Sequence, residues 1–177
     1  MEYTYKEASR EELEAQWAKN IAANASDARW ADWKQYVIAD NESGICKTFV
    51  VMYGESPAAA TPAAAIPAAA TPVGEGTLLF SPKCGAINGR RDLADGERVT
   101  NINALRIEKA HEGKGHISKL VKLMEQYARC AGYTAITIGV EARSARNLAI
   151  YLHWGYTKLV RAETEDGELV LYYEKTL

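Results

Sequence analysis

The sequence predicts an α/β protein built on a mixed sheet. Three observations carry this. Helix-like and strand-like stretches alternate in the order β-α-α-β-β-β-α-β-α-β-β; one strand-like stretch switches the side of its apolar residues midway; and the composition, 47% hydrophobic and 25% charged over 177 residues, is that of an ordinary soluble domain. Such a length favours one domain spanning 1–177, large enough to bury a core without cross-links.

Tyr3 and Tyr5 alternate with polar residues in a short first strand, Glu2 to Ala8. Ser9 with Glu12 three positions on is a capping box, which starts a helix from Arg10 to about Ala25. Asp27 caps a second helix carrying Trp30, Trp33, Tyr36 and Val37, ended by Asn41 to Gly44. Thr48 to Tyr53 is β-branched and aromatic, a second strand. From Pro57 to Pro72 the chain reads PAAATPAAAIPAAATP, and prolines at every fifth position break any helix the alanines start. With its flanks, about 56–76, this reads as a Pro/Ala-rich loop insertion. It is either a tolerated expansion or a spacer arm, which as polyproline II would reach about 50 Å. Thr77 to Phe80 forms the third strand, ended by Pro82, and Gly85 to Glu97 is a polar loop.

In the fourth strand, Asn101 to Glu108, Ile102 and Ala104 have one parity and Leu105 and Ile107 the other. A β-bulge, which adds one residue, produces that switch. Ile117, Leu120, Val121, Met124, Tyr127 and Ala131 then recur at helical spacing, closed by Gly132. Ala135 to Val140 is a buried strand, and Ser144 caps a helix from Ala145 to Trp154 with Gly155 behind it. Two β-prone runs between Lys158 and Lys175 flank Asp166-Gly167, a hairpin turn.

Charge and composition exclude several function classes. The 21 Lys+Arg nearly balance 23 Asp+Glu, with a pI near 6.0, which argues against a nucleic-acid or membrane-surface binder. The chain lacks an 18-residue apolar run and a signal-peptide pattern at its start. Cys46, Cys84 and Cys130 are odd in number and widely spaced, the usage expected of reduced thiols in a cytoplasmic protein. His111 to His116 has one residue too many for H-E-x-x-H, so no metal is expected there.

The most informative motif is Glu112-Gly113-Lys114-Gly115-His116, set between a strand and an amphipathic helix. Glycines there let a ligand approach the backbone, and the free N–H groups of the helix start favour phosphate. A simple tight turn is the other reading. Gly74-Glu75-Gly76 repeats the spacing without that context.

Asn101 to Tyr156 resembles the cofactor half of the GNAT superfamily of N-acetyltransferases. The family's loop Q/R-x-x-G-x-G/A here reads Ala110-His111-Glu112-Gly113-Lys114-Gly115, with Ile117 and Leu120 following as in the family's helix. Its later signature, V-x-x-x-N-x-x-A-x-x-x-Y-x-x-x-G-F, is met by Val140, Tyr151, Gly155 and Tyr156 at the same spacing, with Ser144 in place of the usual Asn. Ala110 for Gln or Arg and Asn147 for Ala are further departures.

The resemblance implies a mostly antiparallel sheet flanked by helices, with acetyl-CoA as cosubstrate and no metal. It assigns the pyrophosphate to His111, Glu112, Gly113, Lys114, Gly115 and His116. The pantetheine arm would pair with Leu105, Arg106 and Ile107, where a backbone N–H can meet the oxyanion. Ser144 and Asn147 would bond the arm, Ser144 alternatively serving only as a helix cap. Tyr151 is the general acid for the departing thiolate, a phenol of pKa about 10 being protonated at pH 7; the other reading is a core tyrosine beside Leu148 and Leu152. Glu108, Glu141 and Glu97 are candidates for the base. Trp17, Trp30, Trp33 and Tyr36, on the first two helices, read either as core or as an acceptor site for an aromatic or cationic amine. The implied function is transfer of acetyl to a primary amine, of a small molecule rather than a protein, with a homodimer carried by the family alone. The rival is a non-catalytic acyl-CoA-binding or sensing module.

Overall fold

The computed structural model describes residues 1–54 and 70–177. Strand β1 (Glu2–Glu7) leads into helices α1 (Arg10–Ala23) and α2 (Arg29–Glu42), then strands β2 (Cys46–Gly54), β3 (Thr71–Leu79) and β4 (Val99–Ile107). Helix α3 (His116–Cys130), strand β5 (Ala135–Glu141), helix α4 (Ala145–His153) and strands β6 (Lys158–Glu165) and β7 (Glu168–Thr176) complete the order. The sheet runs β1-β2-β3-β4-β5-β7-β6, antiparallel throughout except for the parallel pair β4–β5. Both the element order and the mixed, mostly antiparallel sheet agree with the sequence reading.

Local signals explain most boundaries. The Ser9 hydroxyl accepts the Glu12 N–H and the Glu12 carboxylate accepts the Ser9 N–H, so the capping box forms. Asp27 acts one residue earlier than expected: the cap position is Ala28, and the Asp27 carboxylate takes the Arg29 N–H and guanidinium. Asp166 and Gly167 both have positive φ, 48° and 84°, as a two-residue hairpin of this hand requires. Ser144 precedes α4, but its side chain caps nothing. Leu120, Val121, Met124 and Ala128 turn the apolar face of α3 onto Phe49, Val51, Leu78, Ile102, Ile136 and Ile138 of the sheet. A second, smaller core of Cys46, Leu79, Cys84, Ile87 and Leu93 lies under the polar loop.

Strand β3 corrects the sequence reading. The loop insertion expected over 56–76 lies, for residues 56–69, outside the described residues, while 71–76 belong to β3. Gly74 and Gly76 are there for space. A Cβ on Gly74 would meet Ile107 Cδ1 at 2.2 Å, and one on Gly76 would meet Leu105 Cδ2 at 2.8 Å and Met124 Cε at 2.9 Å. Pro72 is tolerated near the strand's start, where the missing donor matters least.

The bulge sits where the parity switch put it. Thr77 pairs with Asn103 and Glu75 with Arg106, so Gly76 faces two residues, Ala104 and Leu105. Ala104 takes the left-handed conformation, φ 55°. Beyond Ile102 and Ile138, β4 and β5 cease to pair and part. This divergence creates the site.

Candidate active site

Two connected spaces open where β4 leaves β5. A cleft of about 450 Å³ on the α3/α4 side is lined by Leu105 and Ile107 of β4, by the loop at 111–115, by the start of α3, and by Asn147, Tyr151 and Trp154 of α4. A gap of about 280 Å³ between the strands is lined by Asn103, Ala104, Leu105, Gly139, Glu141 and Tyr172, among others. Leu105 and Tyr151 line both. They stand where the two spaces adjoin.

The cleft's far end is built from backbone. Gly113 and Gly115 have φ of 76° and 77°, a conformation natural to glycine, and a Cβ on either would meet nothing of the chain within 4 Å. The first bond onto the helix from the loop runs from Lys119 N–H to Gly115 C=O at 3.2 Å, so the amides ahead of it are free of the helical ladder. With the helix dipole behind them they suit an anion.

The side chains around this loop are tied to β1. Lys114 Nζ donates to Tyr3 OH at 2.8 Å, and Tyr3 OH lies 2.9 Å from His111 Nδ1. His116 is buried with Nδ1 2.6 Å from Tyr5 OH, and its Nε2 has no partner. Burial, with Lys119, Lys114 and His111 nearby, pushes the His116 pKa down, so the ring is neutral at pH 7.

The candidate residues thus divide. Leu105, Ile107, His111, Glu112, Gly113, Gly115, His116, Asn147 and Tyr151 converge on the cleft. Lys114 borders it but points to Tyr3, and Ser144 is not among its lining residues. Arg106 turns to the opposite face, where it pairs with Glu75 at 2.9 Å and lies over Trp30 and Trp17. Its parity, opposite to that of Leu105 and Ile107, requires this. Burial raises the Tyr151 pKa, which keeps its phenol protonated.

Of the three carboxylates considered for the base, Glu141 borders the gap and pairs with Arg143, Glu108 pairs with Lys19 at 2.8 Å, and Glu97 precedes the far end of β4. Trp17 is core; Trp30 and Trp33 are half-buried, and Tyr36 is 59% exposed. Sequence reasoning passed over Glu75, which is fully buried and accepts from Asn20 and Arg106. Among the described residues, no cluster of three or more metal-binding side chains occurs, and no helix is long and apolar enough to cross a membrane.

The model of the acetyltransferase (GNAT) family matches residues 10–156. Among solved structures, the chain is similar to an N-acetyltransferase from Staphylococcus aureus Mu50, with 15% identity, 99% of each chain covered and a TM-score of 0.66. It is also similar to a ribosomal-protein-alanine N-acetyltransferase from Brucella melitensis, with 15% identity, 98% of this chain and 99% of that one covered and a TM-score of 0.64. A GNAT family acetyltransferase from Elizabethkingia anophelis with acetyl-CoA bound has 14% identity, 99% and 98% coverage and a TM-score of 0.58. No curated protein matches the chain.

Proposed function

The chain belongs to the GNAT family of acetyltransferases and is an acyltransferase; from that premise we propose that it moves acetyl from acetyl-CoA to a primary amine of a small molecule, by direct attack on the thioester. One observation carries this reading. The anion-suited loop opens into a cleft that shares Leu105 and Tyr151 with the gap between β4 and β5. The acetyl-CoA bound to the Elizabethkingia relative supports the same cosubstrate here.

Each part of the site then has a chemical task. The loop amides at 113–118 and the α3 dipole hold the pyrophosphate. Beyond Ile102 the β5-facing edge of β4 is unpaired in the sheet, so its backbone can bond the pantetheine arm as a missing strand would. A bulge amide near Leu105 to Ile107 meets the oxyanion as charge develops on the carbonyl. Asn147 orients the arm, and Tyr151 gives its proton to the departing thiolate. The gap of about 280 Å³ between β4 and β5 has room for a small acceptor. The free thiols at Cys46, Cys84 and Cys130 support a reducing, cytoplasmic setting.

The test is release of free CoA from acetyl-CoA with propylamine, benzylamine, spermidine, an aminoglycoside and an alanine-headed peptide. Turnover with a small amine above that with the peptide is expected. Turnover with the peptide alone would move the acceptor to protein N-termini. Tight acetyl-CoA binding with no CoA release from any amine would favour a sensing module instead.

A further inference from the structure

On the face that carries the cleft, the sheet runs on past its helices. Helix α3 packs over β1 to β4 and α4 over β5. The register puts Leu159, Ala162 and Thr164 of β6 on that same face, beside Tyr173, Leu171 and Leu169 of β7. Among the described residues five large apolar side chains are exposed, and three of them belong to this end of the fold. They are Leu159 at 52%, Leu169 at 48% and Leu152, near the end of α4 that leads into β6, at 39%. The opposite edge of the sheet, β1, exposes none beyond the adjoining Met1.

Strand β6 ends the sheet, so the backbone groups along its outer side have no strand to bond. Charges on such an edge usually repel a second strand. Those of β6 are arranged to accept one. In its sequence, KLVRAETE, the basic residues Lys158 and Arg161 precede the acidic Glu163 and Glu165. The bulge matters too: β7 pairs with Leu159 and Arg161 and skips Val160, which drops out of the ladder. A second copy of β6, laid antiparallel about a two-fold axis at Ala162, then sets Lys158 against Glu165, Leu159 against Thr164 and Arg161 against Glu163. Each opposed pair shares a face of the sheet, as ladder partners must. The smallest side chain of the strand, Ala162, meets its own copy on the axis. Moving the axis one residue either way would set Arg161 or Glu163 against itself, so the charges select this register.

We propose that two copies of this chain associate edge to edge through β6, so that their seven-stranded sheets continue as one across the axis. The outer amides and carbonyls of each β6 bond to those of the other. Leu159 comes to lie in one row with the second copy's Thr164 and Leu169, which are cross-strand partners. The inference is independent of the acetylation reading above.

On the other face the four charged residues already have partners within the chain. Lys158 pairs with Glu174 at 2.9 Å, Arg161 with Asp92 at 2.7 Å and with Glu163 at 3.1 Å, and Arg90 with both Glu163 and Glu165. These contacts hold the side chains close to the strand, so less freedom is lost when a second copy adds an opposite charge. Exposed ion pairs contribute little affinity; here they set orientation and register. Affinity comes from the added backbone ladder and from covering Leu159 and Leu169.

Sedimentation velocity and carbodiimide cross-linking test this. At about 100 μM protein a dimer is expected, which covers any Kd up to about that concentration. Carbodiimide joins a lysine to a carboxylate only where the two touch. Lys158 and Glu165 lie at opposite ends of one extended strand, about 20 Å apart, so an isopeptide bond between them comes from two copies. Mass spectrometry should find that link beside the within-chain link Lys158–Glu174, which serves as the control. Leu159→Arg, at an exposed position, should raise the dimer Kd at least about tenfold while the circular dichroism spectrum stays that of wild type. A monomer at about 100 μM overturns the proposal. So does a dimer that gives the control link without Lys158–Glu165, or one whose Kd Leu159→Arg leaves unmoved.

Discussion

Tyr151 is the residue on which the proposed chemistry turns, and replacing it by Phe removes one oxygen while keeping the ring packed. Turnover should fall about 10–100-fold, at the low end of general-acid effects because a thiol leaves fairly well unaided. Steady-state kinetics with calorimetric acetyl-CoA binding checks this: unchanged turnover would reduce Tyr151 to a packing residue. His116 gives a second test, through pH. Its folded pKa is depressed by burial, so the unfolded chain binds more protons as pH falls below about 6.5. The stability it contributes is full above the unfolded pKa and is lost as pH falls through the folded one. Melting temperature should therefore drop between about pH 7.5 and 5, and less steeply in His116→Gln; parallel curves for the two proteins would sink the assignment. At this scale the family pattern named nine residues that line the cleft, between Leu105 and Tyr151, and three, Arg106, Lys114 and Ser144, that do not. It said nothing of the buried Glu75 pair, because the partners, Asn20 and Arg106, are 55 and 31 positions away.

At the scale of elements, the bulge was legible because a parity switch is written in consecutive residues. The start of β3 was not, because Pro72, Gly74 and Gly76 are turn formers by local preference and strand residues only through their neighbours. Ile107, Leu105 and Met124 occupy the space a side chain would need. The loop before α3 shows the opposite case, glycines set by conformation with open space beyond them. Gly115→Ala should therefore distinguish strain from ligand contact. Holding Ala at φ 77° costs about 1–2 kcal/mol, a drop in melting temperature of roughly 2–8 °C for a chain of this size. The added methyl would also stand in the cleft where phosphate meets the amides, so acetyl-CoA affinity should fall at least about tenfold, 1.4 kcal/mol. Calorimetry on the folded variant with wild-type affinity would remove the loop from the binding site.

For the whole molecule, α3 and α4 line the cleft on one face of the sheet, α1 and α2 carry Trp17 and Trp30 against Arg106 on the other, and β4 and β5 part between them. The Pro/Ala-rich stretch falls in sequence between β2 and β3. Its anchors are close: a Cβ on Gly54 would meet the Ala70 backbone at 2.5 Å, so the two strand ends emerge side by side. Both strands are held on their outer sides as well, β2 by β1 and β3 by β4. The hairpin therefore has its own register, independent of what connects it. Replacing residues 55–69 by a four-residue Gly/Asn turn shortens the connection nearly fourfold, two halvings, each contributing only about 0.6 kcal/mol of closure entropy. Melting temperature should stay level or rise by no more than about 4 °C, with acetyl-CoA affinity unchanged. A fall of several degrees would mean that the stretch packs on the fold, and a loss of affinity at constant stability would mean that it reaches the cleft.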